Sequence, residues 1–122
     1  MSYGDRVIDD MKRLVALFRP HCGDRSTLDE IAGLLEDRKT WAQGHSLFDK
    51  IREKTLVAEQ HHDARAEAQY LFEEICAKTL YNLSNSRAPF DADSPYWIAP
   101  NAFALARALG IEQSEVVKIV AA

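Results

Sequence analysis

Cysteine is scarce in this chain of 122 residues: Cys22 and Cys76 stand far apart and share no metal-ligand spacing. Two free thiols in a reducing compartment are expected, not a disulfide. Glycine (5) and proline (4) are also few and fall at a handful of places, which is how helical chains are punctuated. No stretch approaches the roughly 20 apolar residues that span a bilayer, so a membrane helix is excluded. Positive charge is not in excess either. Fifteen Lys and Arg face nineteen Asp and Glu, for a net charge of −4. That balance argues against non-specific binding to nucleic acid or an anionic membrane, and is compatible with a basic protein partner. The opening Met1-Ser2-Tyr3-Gly4-Asp5-Arg6 lacks a basic segment followed by an apolar run, so a cytoplasmic location is expected. Internal repeats and low-complexity tracts are missing.

What is present suits one helical domain covering residues 1–122, long enough to bury a core without disulfide or metal. Apolar residues make up 47% and charged residues 28%, which disfavours disorder. Asp5 is placed to cap a first helix over 5–18, whose Val7, Met11, Leu14 and Phe18 recur at three or four, widened by Ile8 and Val15. Pro20 and Gly23 break it. Thr27 followed by Glu30 reads as a capping box opening a second helix that buries Leu28, Ile31, Leu34 and Leu35. Residues 39–44 read as a turn, with Trp41 folded back onto the core.

Residues 46–83 contain neither Gly nor Pro and keep a helical period. Phe48, Ile51, Thr55, Ala58 and His62 form one stripe; Ala68, Leu71, Phe72, Ile75, Cys76, Thr79, Leu80 and Leu83 form the next. Helices usually run about 8–20 residues, so two helices joined near 60–63 are expected. Ala64, Ala66 and Ala68 would let a neighbour approach closely. Residues 82–100 hold three prolines among Asn, Ser and Asp, yet also Phe90, Tyr96, Trp97 and Ile98. Aromatics at this density predict an ordered, packed loop. Pro100 suits the first turn of the next helix, and Gly110 with Ile111 a left-handed C-cap before a last helix from about 113. The architecture expected is an all-α, compact bundle of five or six helices, with one long aromatic and proline loop before the C-terminal helix pair.

Several motifs bear on chemistry. Ala106, Gly110, Val116 and Ile119 stand where a helix-turn-helix places its crossing, turn and packing residues. Its reading helix would then offer Glu112, Gln113, Ser114 and Glu115 to a phosphate-lined groove with Lys118 the only base, so a plain helical corner is preferred. Glu59 and His62 make a single Glu-x-x-His, but a carboxylate-bridged di-iron bundle needs a second copy and further glutamates. His61 and His62 are adjacent and point to different faces. No metal or cofactor site is expected. Arg38 and His45 have an Arg-x6-His spacing that resembles the motif of a family of small helical ribonucleases, which implies both residues on one helix converging on a phosphate. Gly44 falls between them here, and Lys39 replaces the polar residue that usually follows the Arg. Asp91-Ala92-Asp93-Ser94 opens like a calcium loop, but Tyr96 takes its required glycine and Ala102 its glutamate.

No catalytic constellation stands out, and the chain is read as a non-enzymatic protein-binding module. Its expected surface is the loop, where Phe90, Tyr96 and Trp97 are anchors and Asp91 and Asp93 meet a basic partner. A small immunity- or antitoxin-type protein is a concrete version. A helix-turn-helix DNA-binding regulator is the alternative, followed by the ribonuclease; a homo-oligomer is compatible with any of these.

Overall fold

The computed structural model describes residues 3–85 and 98–120. Among them are six α-helices and no strand: α1 (Tyr3–Phe18), α2 (Ser26–Leu35), α3 (Gly44–Gln60), α4 (Ala64–Ser84), α5 (Ile98–Leu109) and α6 (Gln113–Val120). Short 3-10 turns at Arg19–His21 and Arg38–Gln43 follow α1 and α2. The all-α bundle is the architecture the periodicity implies. Of the segment 82–100 expected as a loop, residues 82–84 belong to α4 and 98–100 to α5, and 86–97, with Phe90, Asp91, Asp93, Tyr96 and Trp97, lies outside the described residues.

The α1 stripe is buried as its spacing requires, with Met11, Leu14 and Phe18 wholly enclosed. Asp5 lies inside the first turn, because the helix already starts at Tyr3. The α2 capping box does not form. The helix opens two residues early, at Ser26, and Arg25 at the N-cap makes no side-chain cap. The exposed donors are met instead by Asp24, which accepts from the Ser26 backbone N–H at 3.2 Å and from its hydroxyl at 2.6 Å. Thr27 is buried. Trp41 does fold back onto the core from the second 3-10 turn, which Asp37 caps by accepting from the Lys39 N–H at 2.9 Å.

The long central segment is two helices. His62 adopts φ +55°, and the N–H groups of His62 and Asp63 donate to the carbonyls of Glu59 (3.2 Å) and Ala58 (3.1 Å). These paired bonds satisfy the last α3 carbonyls around a left-handed residue, a Schellman ending. Asp63 then caps α4, accepting from the Ala66 N–H at 3.2 Å. The same ending closes α5: Gly110 has φ +74°, and Ile111 donates to the Ala106 carbonyl at 2.8 Å. His62 is therefore an exposed turn residue, and the buried stripe of α3 is Gly44, Leu47, Ile51, Thr55 and Ala58, with Phe48 only half-buried.

Because the α3–α4 turn is tight, the two helices pack along their length, and α4 becomes the central element, touching α2, α3 and α5 as well as the second 3-10 turn. The closest approach is not at the α4 alanines. A Cβ on Gly44 would sit 2.5 Å from the Ala77 carbonyl oxygen, so the start of α3 lies directly on the α4 backbone. Phe72 on α4 meets Phe18 edge-to-face with ring centroids 5.2 Å apart. One apolar cluster draws on all six helices. No helix among the described residues is long and apolar enough to cross a membrane.

Candidate functional site

A helix surrounded on most sides buries whatever its sequence carries there, and α4 buries Gln69, Glu73, Glu74 and Thr79 alongside Phe72, Ile75, Cys76 and Leu80. Thr79 returns its hydroxyl proton to the Ile75 carbonyl at 2.7 Å, a local solution. Glu74 accepts from Arg52 of α3 at 3.3 Å. Glu73 is different. Its exposure is 0%; one carboxyl oxygen accepts from Gln69 Nε2 at 3.0 Å, and the other, Oε2, has no partner among the described residues. Such an orphan is costly in either protonation state, since the ionised oxygen lacks a donor and the protonated one an acceptor.

Gln69 also donates to the Asp24 backbone carbonyl, so its amide joins α4 to the α1–α2 connection. Asp24 is itself clasped from α3: Lys54 Nζ donates to Asp24 Oδ2 at 3.2 Å and to the Thr27 hydroxyl at 3.3 Å, and lies 5.7 Å from the Tyr70 ring centroid. The result is one polar network, Glu73–Gln69–Asp24–Lys54, held by three segments of chain.

Its electrostatics follow from burial. Removal from water pushes the Glu73 carboxyl up to about 7, against the opposing hydrogen bond from Gln69. Burial, then the Glu73 carboxyl, raises the Cys22 thiol to about 11 and Cys76 well above the usual thiol range. Asp24 is held low, first by the Ser26 hydroxyl and then by Lys54. Partial burial works against the Lys54 charge, but the hydrogen bond and charge of Asp24 outweigh it. Both cysteines are free and buried, and their raised values make them inert thiols.

Above the network opens a cavity of about 350 Å³, whose wall includes His21, Cys22, Asp24, Arg65, Gln69 and Tyr70. This volume falls within the range of small-molecule pockets. Sequence reading missed this site. Gln69 and Glu73 are spaced like any solvated pair on a helix, and only the contacts across 45 residues of chain enclose them.

A second feature lies on the outer face of α3. Leu56 and Val57 are 48% and 53% exposed. Glu53 precedes them by one turn and Glu59 follows Leu56 by one; both are exposed, and neither pairs with another described residue. Arg52 nearby is engaged by Glu74.

The remaining candidates are scattered. Arg38 lies on the second 3-10 turn with its guanidinium 5.5 Å from the Trp41 ring centroid, while His45 is on α3 with its ring 4.7 Å from Tyr81. They occupy different elements and meet different aromatic rings, unlike the single-helix arrangement that the ribonuclease resemblance implies. His61 and His62 are both exposed in the α3–α4 turn. Among the described residues, no group of three or more His, Cys, Asp and Glu is placed to hold a metal ion. In the α5–α6 corner, Glu112, Gln113 and Ser114 are exposed, and Lys118 donates to Glu115 at 3.1 Å. The proposed loop residues Phe90, Asp91, Asp93, Tyr96 and Trp97 are not among those described. No protein-family model, curated protein or solved structure matches this chain.

Proposed function

We propose that the chain is a non-enzymatic protein-binding module whose acidic surface covers a basic partner, as an immunity- or antitoxin-type protein would. The observation that carries this reading is the outer face of α3, where Leu56 and Val57 stand exposed between Glu53 and Glu59. An apolar pair rimmed by unpaired carboxylates suits a partner that offers an apolar contact ringed by Lys or Arg. Burial of the pair supplies affinity, and the rim charges supply steering and register. The aromatic and acidic residues of the loop, Phe90, Asp91, Asp93, Tyr96 and Trp97, have the same chemistry and form the second part of the proposed surface. The packed helical scaffold beneath α3 gives such a surface a rigid support.

The test is affinity capture from cells that express the chain, using the wild type beside three variants that keep wild-type circular dichroism. These are Glu53→Lys/Glu59→Lys, Leu56→Ser/Val57→Ser and Asp91→Lys/Asp93→Lys. A basic protein bound by the wild type, released by added salt and lost with the α3 variants supports the proposal. Equal recovery with all four proteins refutes it. Recovery of nucleic acid alone also refutes it, and favours the helix-turn-helix reading of α5 and α6.

A further inference from the structure

The cavity above the buried network combines three features that bear on a ligand. Its volume is about 350 Å³. Its wall includes Gln69, whose side chain is the only described partner of Glu73. Glu73, one turn further along α4, is wholly buried and keeps a carboxyl oxygen with no donor. Both hydrogen bonds from the Gln69 amide nitrogen are spent, on Glu73 and on the Asp24 carbonyl, so a rotation of this one side chain frees both acceptors together. Asp24 is held in an ion pair by Lys54, and Asp63, which also lines the cavity, caps α4. Glu73 forms no ion pair with another described residue, and the opposite charge that acts on it, that of Lys54, is held by Asp24.

We propose that this cavity binds a small organic cation, a primary ammonium or guanidinium on a short apolar stem, which enters beside Gln69 and takes over the two acceptors of its amide, the Glu73 carboxyl and the Asp24 carbonyl. The apolar stem lies against the Tyr70 ring and Leu109, which also line the cavity. A cation fits where a neutral donor would not suffice, because a buried carboxylate is stabilised by an opposite charge far more than by one hydrogen bond. The site is separate from the outer face of α3 and does not depend on the protein-binding reading.

The experiment follows the glutamate side-chain carboxyl signals of the full chain by NMR. The probes are n-butylammonium chloride and n-butylguanidinium chloride, with 1-butanol and matched sodium chloride as controls. Either cation should shift the Glu73 signal saturably, and should lower its titration midpoint by about one unit or more. The controls should do neither. Glu73→Gln, nearly identical in shape, should lose the saturable thermal stabilisation that the cations give the wild type. Three results would overturn the proposal: a Glu73 signal indifferent to the cations, an equal response to sodium chloride, or undiminished stabilisation of Glu73→Gln. The wild-type titration decides the matter even if that variant folds poorly.

Discussion

Replacing Glu73 by Gln should leave stability close to that of the wild type at pH 5 and raise it well above the wild type at pH 8. The carboxyl titrates near 4.5 in an unfolded chain and about 7 in the folded one, because burial disfavours its charge. Between those values the folded state holds a proton that the unfolded state has released. Wild-type stability is therefore fully present below about pH 4.5, and falls until the pH passes 7. The gap of about 2.5 units corresponds to about 3 kcal/mol. Gln cannot ionise and escapes this loss. Its amide N–H takes the place of the hydroxyl of the protonated wild type and, like it, finds no acceptor, so that cost is common to both proteins at low pH.

The two proteins should therefore be close in stability at pH 5, and the Gln variant the more stable by about 3 kcal/mol at pH 8. The charged and titratable neighbours hold steady over this range. Asp24 stays ionised, Lys54 stays protonated, and the Cys22 and Cys76 thiols stay neutral. The histidines are common to both proteins and cancel in the comparison. Urea unfolding followed by circular dichroism at half-unit steps of pH reads the effect directly. Two parallel curves would show that Glu73 does not carry a buried proton, and would remove the electrostatic account of the site.

Three further outcomes test the scaffold. Gly44→Ala should lower stability by about 2 kcal/mol with an unchanged urea m-value, since its Cβ meets the Ala77 backbone oxygen and α3 must shift. His62→Gly should raise stability by about 1 kcal/mol, because only glycine takes the left-handed C-cap conformation without strain; the thermal midpoint reports it. Cys22 and Cys76 should resist dithionitrobenzoate at pH 8 in the native protein, and both should react at once in urea. Fast native labelling would contradict their buried, raised-pKa environment.

The helices were legible because their signals are local. Val7, Met11, Leu14 and Phe18 state the buried face of α1 within a few turns of chain, and Gly110-Ile111 states the end of α5 within two residues. The break between α3 and α4 was legible only through length. The residue that makes it, His62, is not a turn former by type; packing of the two helices holds it at positive φ. Gly44 looked like a turn residue, whereas its lack of a Cβ is what lets α3 rest on α4. The capping box failed for a related reason. Asp24 met the first donors of α2 before Thr27 could, and Thr27 turned its hydroxyl to Lys54. At Gly44 and at the Thr27 hydroxyl the deciding contact lay elsewhere in the chain.

The buried site was illegible for a stronger reason. Amphipathic reading assigns polar residues to solvent, which holds for a helix with one free side. α4 has neighbours in α2, α3 and α5 and carries Gln69 and Glu73 into the interior, so their polarity misreports their position. A scaffold whose only task was to fold would gain from Gln at 73, since above neutral pH the carboxylate costs about 3 kcal/mol that an amide does not. Marginally stable domains carry such a cost at sites where the charge has a use more readily than at idle ones. At Glu73 that use is set by geometry: an acceptor without a donor, one amide away from a cavity large enough to bring it one.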